Sequence, residues 1–459
     1  MVPATTRRTD LGGRAAAFLE PASAPLLGIV WVAEMTRIFH PSAALGHLAG
    51  ACLAAYVVLA LASSSAHIRG LFLVAIGASV ASAWWIGSTA ALVAGFAKAQ
   101  IFGAFLPSVV MLRATVEASP RIALLSGDLG RLGHEARTNW MQYGSHSLGA
   151  VLNVGAQSIL APVVAAETDR ERRLDLARSS ARGVGGAVLW SPFFLSLAFT
   201  SQLIPRVPLW QSMAVGVGMA LIGLALSWLL FTPSLGRAGF VASVGRLAPL
   251  AMPMLLVIGA VVGSTLAFGL TGLQAVAIVV PALCLGYMAT LGATGARGVT
   301  RRTFSNFGRL SDEVLIVVGA TLLGAAVAAM PAVREFGAGM TPDMIAGPAL
   351  LAAIVVVLLV LGQLGLHPMI GASIVLPVVA AGDFGLCGVV LVAAGVFAWA
   401  LNASVSIWTL PVAVASGAFG VPAAQMLSRR SLQYAALHAV AGLLYLGAVN
   451  AVLIRLGCP

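Results

Sequence analysis

Apolar residues run along this chain in blocks separated by short polar segments, without the ten-residue alternation of an outer-membrane barrel. Blocks of about 18 or more apolar residues are long enough to cross a ~30 Å hydrocarbon core as helix. The predicted spans are 25–40, 43–62, 71–87, 88–112, 183–204, 211–232, 248–268, 273–293, 312–332, 386–418 and 431–454. Two further blocks, 138–166 and 345–381, are too long for one crossing and are interrupted, the first near Asn153-Val154-Gly155 and the second at Leu366-His367-Pro368. Each predicts two half-helices meeting at a tip, a re-entrant hairpin.

Part of the pattern occurs twice. Residues 158–166, Ser-Ile-Leu-Ala-Pro-Val-Val-Ala-Ala, recur as Ser-Ile-Val-Leu-Pro-Val-Val-Ala-Ala at 373–381. A second pair, Trp190-Ser191-Pro192 running on to Val207-Pro208, precedes Val405-Ser406-Ile407 running on to Val421-Pro422 at nearly the same offset. Two copies of one unit in a membrane chain point to a carrier. The expected organisation is a cytoplasmic tail 1–24, an extra helix 25–42, repeat one 43–232, a cytoplasmic linker 233–247 and repeat two 248–454. The fold class expected is an all-α polytopic membrane protein, with about 11 transmembrane helices plus two re-entrant hairpins in an inverted repeat.

Composition excludes a soluble globular chain. The hydrophobic share is 59%, the charged share 9% and the mean hydropathy +0.98, against about 25% charged residues in ordinary soluble domains. The net charge of +11 reads as topology and not as nucleic-acid binding. Arginines concentrate in loops placed in the cytoplasm by the expected layout: 113–137, 170–182, 237–246, 297–309 and Arg429-Arg430. Only Arg37, Arg206, Arg334 and Arg455 fall on the other side, as the positive-inside rule requires. The same layout turns the two repeats upside down relative to each other. The N-terminus, with Arg7, Arg8 and Arg14, carries no cleavable-signal pattern, so the expected location is the inner (plasma) membrane with the N-terminus in the cytoplasm. Cys52, Cys284, Cys387 and Cys458 are scattered and read as small apolar residues, neither disulfide framework nor metal site.

After each hairpin comes a span expected to be broken, at Trp190-Ser191-Pro192 in repeat one and at Asn402-Ala403-Ser404 in repeat two. Non-helical backbone at membrane depth survives only where it lines a cavity or is buried in protein. The four interruptions are therefore expected to converge. Half-helix N-termini there would offer N–H groups to an anion, and freed carbonyls with Ser or Asn oxygens would hold a hard cation. The candidate substrate and ion site comprises Asn153, Gly155, Ser158, Ser191, His367, Pro368, Ser373, Asn402 and Ser404, with Na⁺ as candidate coupling ion near Asn153 and Asn402. No catalytic residue, side-chain metal motif or other cofactor is expected.

Asn153-Val154-Gly155 to Pro162, Trp190-Ser191-Pro192, Gly365-Leu366-His367-Pro368 to Pro377, and Asn402-Ala403-Ser404 carry a resemblance across 43–454. The arrangement resembles the ion transporter superfamily of elevator-type carriers, including the divalent anion/sodium symporters and the large membrane subunit of TRAP transporters. That resemblance implies a hairpin and broken helix per repeat, a mobile transport domain, a scaffold domain that commonly forms a homodimer, and substrates that are often carboxylates. The Ser-Asn-Thr hairpin tips of the divalent anion symporters are absent here, so a two-carboxylate substrate and a two-sodium stoichiometry do not follow.

Several side chains have competing roles. Lys98, the only lysine, lies within span 88–112, with Glu313 as its repeat counterpart; it either snorkels to an interface or faces a cavity. His367 either caps its tip or meets an anion or coupling proton. Ser158 and Ser373 either back-bond to their own helices or line the site, and His146 packs inside the hairpin domain. The glycines of Gly183-Val184-Gly185-Gly186 read as close-packing surface, and the charged segment 167–178 as a surface helix at the headgroups.

Three functions fit. The first is a secondary active transporter, a symporter of a small anionic, carboxylate-type solute by an elevator motion coupled to Na⁺ or H⁺. The second is a TRAP-type membrane subunit needing a binding-protein partner. The third is an intramembrane enzyme using His146, His367 or Asp383, against which stands the absence of a metalloprotease spacing after His134-Glu135 and of a carboxylate pair. No nucleotide-binding P-loop appears. The partners expected are membrane lipid, the solute and a second copy of the chain.

Overall fold

A computed structural model describes residues 10–119, 132–165, 167–204, 207–340, 347–407 and 409–458. The first nine residues, the loop holding Arg121 and Arg131, Ala166, Arg206, the start of the second hairpin block at 345–346, and Trp408 lie outside the described residues.

The described chain is helical throughout. In order it forms α1 (Asp10–Phe39), α2 (Ala43–Ser63), α3 (Ala66–Ile86), α4 (Ala90–Gln100), α5 (Phe102–Glu117), α6 (His134–Leu152), α7 (Gly155–Ala165), α8 (Arg170–Ala187), α9 (Leu195–Leu203), α10 (Leu209–Phe231) and α11 (Gly236–Gly245). There follow α12 (Ala248–Phe268), α13 (Gly272–Thr290), α14 (Gly292–Phe307), α15 (Ser311–Ala329), α16 (Pro331–Ala338), α17 (Gly347–Gln363), α18 (Pro368–Ala380), α19 (Gly388–Val405), α20 (Leu410–Phe419), α21 (Ala423–Met426) and α22 (Arg429–Arg455). Helix α1 begins well inside the segment expected as a tail, because Ala15-Ala16-Ala17 and their neighbours favour helix.

Among the described residues, 8 helical stretches are long and apolar enough to cross a membrane, and the protein is a polytopic helical membrane protein. Stretches 43–63, 66–86, 90–117, 209–231, 272–290, 292–329, 388–419 and 429–455 qualify. Helices α7, α17 and α18 are apolar but short. At 1.5 Å per residue an 11- or 13-residue helix falls well short of the bilayer core. Large apolar side chains face outward along the spans, among them Val74, Trp84, Trp85, Met252 and Leu255, as lipid contact requires.

The chain divides into two compact units. Unit one comprises 1–114 and 276–331. There α15 packs on α3 and α4, and α1 packs on α2. Several of its polar side chains bond within it: Tyr56 donates to the Phe307 carbonyl (2.8 Å), Trp31 Nε1 donates to Ser108 Oγ (3.0 Å), and Ser63 and Ser311 share a hydrogen bond (2.8 Å). Arg37 is held by the Glu34 carboxylate and by Gln100 Oε1. Lys98 is exposed on α4, and Glu313 is half-buried in the first turn of α15.

Unit two comprises 115–275 and 332–459. Helix α8 is its central post, packing against α6, α7, α19 and α20. Its glycines allow this. A Cβ at Gly183 would strike the Gln142 carbonyl of α6, one at Gly185 would lie 3.3 Å from Ala403 Cβ of α19, and one at Gly186 would lie 3.0 Å from His146 Nδ1. The close-packing role read from the glycine run is what the structure displays. The N-terminus of α8 is capped by Asp169, whose carboxylate accepts the Arg172 N–H (2.9 Å). That N–H holds the exposed Asp169 carboxyl below its usual pKa.

At the far end of unit two, Asn450 of α22 accepts the Cys387 N–H and donates to the Gly385 carbonyl, both at 2.9 Å. Beside it Cys387 and Cys458 form a disulfide, Cα–Cα 6.0 Å. This corrects the reading of all four cysteines as unpaired. Residues 71 positions apart have no spacing signature, and only the antiparallel pairing of α19 and α22 brings them together.

The glycine packing of α8 is testable. Gly183→Ala should lower the apparent Tm in detergent, with a destabilisation of about 1–3 kcal/mol from overpacking against backbone. Gly298→Ala, where a Cβ meets nothing within 4 Å, should be neutral or stabilise by up to about 1 kcal/mol. Equal thermal shifts for the two would refute the packing role.

Candidate functional site

All four expected interruptions lie in unit two. Helix α6 ends at Leu152 and α7 starts at Gly155, so hairpin one turns at Asn153-Val154. Asn153 has φ 56° and ψ −140°, a conformation asparagine tolerates better than most residues but still a strained one. Its side chain eases the turn: Oδ1 accepts the Val154 N–H at 2.8 Å.

The first arm, α6, differs from expectation in character. It is not a greasy half-helix, because Thr138, Asn139, Gln142, Ser145 and His146 are buried within it. Several of these find partners inside unit two, including Asn139 Nδ2 to Ser243 Oγ (2.6 Å) and Ser145 to Ser180 (2.8 Å). On the second arm Gln157 is fully buried, and neither of its amide atoms has a hydrogen-bond partner among the described residues.

The first broken span is broken where proline predicts. Helix α8 stops at Ala187 and α9 starts at Leu195, leaving Trp190-Ser191-Pro192 in the non-helical stretch. Ser191, fully buried, donates to the Ala150 carbonyl of α6 and accepts the Phe193 N–H at 3.2 Å. Trp190 Nε1 donates to His146 Nε2 at 3.1 Å. The break and hairpin one are thereby tied to each other.

Hairpin two turns between Gln363 and Pro368. His367 is the N-cap of α18: its Nδ1 accepts the Met369 N–H at 3.3 Å, and its ring meets Trp399 of α19 edge-on with centroids 5.6 Å apart. Pro368 occupies the first turn of α18, where its missing N–H costs nothing.

The second break lies later than expected. Helix α19 runs through Asn402, Ala403 and Ser404 and ends at Val405; the chain leaves helix at Ser406 and re-enters at Leu410. Asn402 can stay helical because its amide is satisfied sideways, Oδ1 accepting from Gln363 Nε2 (3.0 Å) and Nδ2 donating to the Leu358 carbonyl (3.3 Å), both on α17. Pro411 in the first turn of α20 is the sequence signal that marks the true break.

The structure thus joins Asn153 and Ser191 to hairpin one, and Asn402 and His367 to hairpin two and α19. Gly155 is buried at the start of α7. Ser158 is exposed, and Ser373 is buried with its hydroxyl donated to Ile370 O (2.8 Å) inside its own helix. Ser404 back-bonds to Ala400 and also lines a small void together with Arg182, Ser406 and Ser431. Arg182 was assigned to a cytoplasmic loop on sequence grounds, yet it is 4% exposed inside α8. The small residues around it, Ser179-Ser180-Ala181 and Gly183, were the signal that it sits in a close-packed helix. A much larger groove, about 1020 Å³, lies in unit one and is lined by none of the expected site residues.

The tie between α19 and hairpin two predicts a coupling. Asn402→Ala should destabilise by about 1–3 kcal/mol, since it strands the buried Leu358 carbonyl. Gly362→Ala places a Cβ directly against the Asn402 amide and should cost a similar amount by displacing it. The double variant should then be less destabilised than the sum of the singles in a thermal-melt cycle. Strict additivity would show that the two residues do not act through one contact.

No protein-family model and no curated protein sequence matches the chain. Among solved structures the chain is similar to MtrF of Neisseria gonorrhoeae, described as illuminating a class of antimetabolite efflux pumps. The identity is 14%, the TM-score 0.43, and the alignment covers 75% of this chain and 80% of that one. A likeness at that level carries no argument about what this chain does.

Proposed function

We propose that the protein is a secondary active transporter of a small anionic, carboxylate-type solute, working by an elevator motion of unit two and driven by Na⁺ or H⁺. One observation carries this reading: two hairpins and two interrupted helices occur in the same compact unit, each interrupted helix bonded to its own hairpin through Ser191 or Asn402. Broken backbone of this kind is tolerated at membrane depth where it lines a solute path. Unit one, which holds none of the four interruptions, is the scaffold and the dimer-forming part. The repeats are inverted, and the oxygens of Asn153 and Asn402, each with a lone pair left, are the side-chain candidates for Na⁺.

Unidirectional uptake of radiolabelled acetate, lactate and succinate by the purified full chain in liposomes tests the transport reading. An imposed inward Na⁺ or H⁺ gradient is expected to raise the rate of at least one at least tenfold over protein-free liposomes. Flux that appears only after an extracytoplasmic binding protein is added would favour the TRAP-type reading, and none under either condition would defeat transport.

We also infer that the start of α19 and the end of α22 face the oxidising side of an inner membrane, because disulfides persist there and Arg429-Arg430 at the other end of α22 suit the cytoplasm. A membrane-impermeant maleimide applied to intact cells should label Cys387 and Cys458 only after reduction. Labelling of intact cells without reduction would refute the disulfide, and labelling only in lysed cells would reverse the orientation.

A further inference from the structure

Arg182 is a buried cation with no acidic group at ion-pairing distance among the described residues; Asp175 acts on it only at longer range, while paired with Arg178. Arg182 Nη2 donates to Ser179 Oγ (2.8 Å) and its Nε to Ser227 Oγ (3.4 Å), while Nη1 is buried with no hydrogen-bond partner among the described residues. The guanidinium lies 3.7 Å from the centroid of the Phe231 ring and 5.9 Å from that of Tyr434. Its neighbour Arg178 differs, being paired with Asp175 (3.2 Å) and the Gln425 carbonyl (2.6 Å). Ring contacts and neutral hydroxyls offset only part of the cost of burying a charge, which runs to several kcal/mol without an anionic partner.

The void beside Arg182 has the complementary chemistry. It measures about 10 Å³, room for roughly one water-sized atom. Ser404 and Ser406 line it from the end of α19 and Val412 from the first turn of α20. Helix α20 has no side-chain cap: Thr409, at the N-cap, makes no capping bond and donates instead to the Ser406 carbonyl (3.0 Å). Pro411 has no N–H, so Leu410 and Val412 hold the first-turn N–H groups that lack a capping side chain, and Val412 brings this positive end of the helix to the wall of the void. A guanidinium with a spare N–H, serine hydroxyls and an uncapped helix start converge on a space sized for one oxygen.

We propose that Arg182 and the α19–α20 break form a carboxylate site, in which Nη1–H donates to a carboxylate oxygen of the solute. The site rests on the transport reading for its role and names the group on the solute that is recognised. It also moves the anion-binding centre away from the hairpin tips to the second break, four residues beyond Asn402.

Formate, the smallest carboxylate, is the probe, added to the purified full chain in detergent at constant ionic strength. Apparent Tm is expected to rise by about 2–4 °C near tenfold excess over Kd, with chloride and formamide giving no such rise. Arg182→Gln should weaken formate binding at least tenfold. If that variant gives no folded protein, Arg182→Lys decides: it should weaken binding at least threefold, because lysine cannot present the planar fork. A formate effect equalled by chloride or formamide, or retained at full affinity in the variants, overturns the site. Gradient-driven uptake that persists unchanged in Arg182→Gln would remove the site and leave transport standing. Formate stabilisation in a wild-type chain that moves no solute would do the reverse.

Discussion

Every backbone amide inside a bilayer must find its partner within the protein, and this requirement organises unit two. The four interruptions lie there, and at each one a side chain takes over work that the helix has given up. Asn153 accepts the N–H that follows it, Ser191 serves both a carbonyl of α6 and an N–H of its own turn, and His367 caps α18. Thr409 returns a bond to Ser406 across the fourth. A lipid-exposed loop would leave such groups stranded at several kcal/mol apiece. The breaks must therefore sit among protein, and that in turn is why polar α6 is an interior helix.

Close approach makes this arrangement possible, and α8 provides it. With no side chain at Gly183, Gly185 and Gly186, α6 and α19 come near enough for Trp190 to reach His146 and for Ser191 to reach Ala150. In a membrane there is little hydrophobic drive between helices, so contact area and interhelical hydrogen bonds hold them together. The same tight surface carries Arg182 inside, a position a bulkier helix face would have left at the interface.

Much of this was legible in the chain. Proline, glycine and asparagine at Asn153, Pro192 and Pro368 remove or reposition backbone donors in ways that hold in any context, so both hairpin tips and the first break fall where the residues place them. The second break was read too early because Asn402 looks like a helix-breaker, whereas its amide is satisfied by α17, a contact invisible along the sequence. The Cys387–Cys458 pair, the polar interior of α6 and the burial of Arg182 were hidden for the same reason. Each depends on which helices become neighbours, and hydropathy does not say.

The side-chain ties also constrain how unit two can move. A gate that swung a hairpin away from its broken helix would sever Ser191–Ala150 and Trp190–His146 on one side, or Gln363–Asn402 and Asn402–Leu358 on the other. Each bond contributes about 0.5–1.5 kcal/mol, and each buried group left unpaired costs about 1–3 kcal/mol. Opening both hairpins in this way would leave several such groups unpaired at once. Displacing the unit as a body leaves every one of these bonds intact. The bonding inside unit two therefore favours its holding together as one body over local hairpin opening.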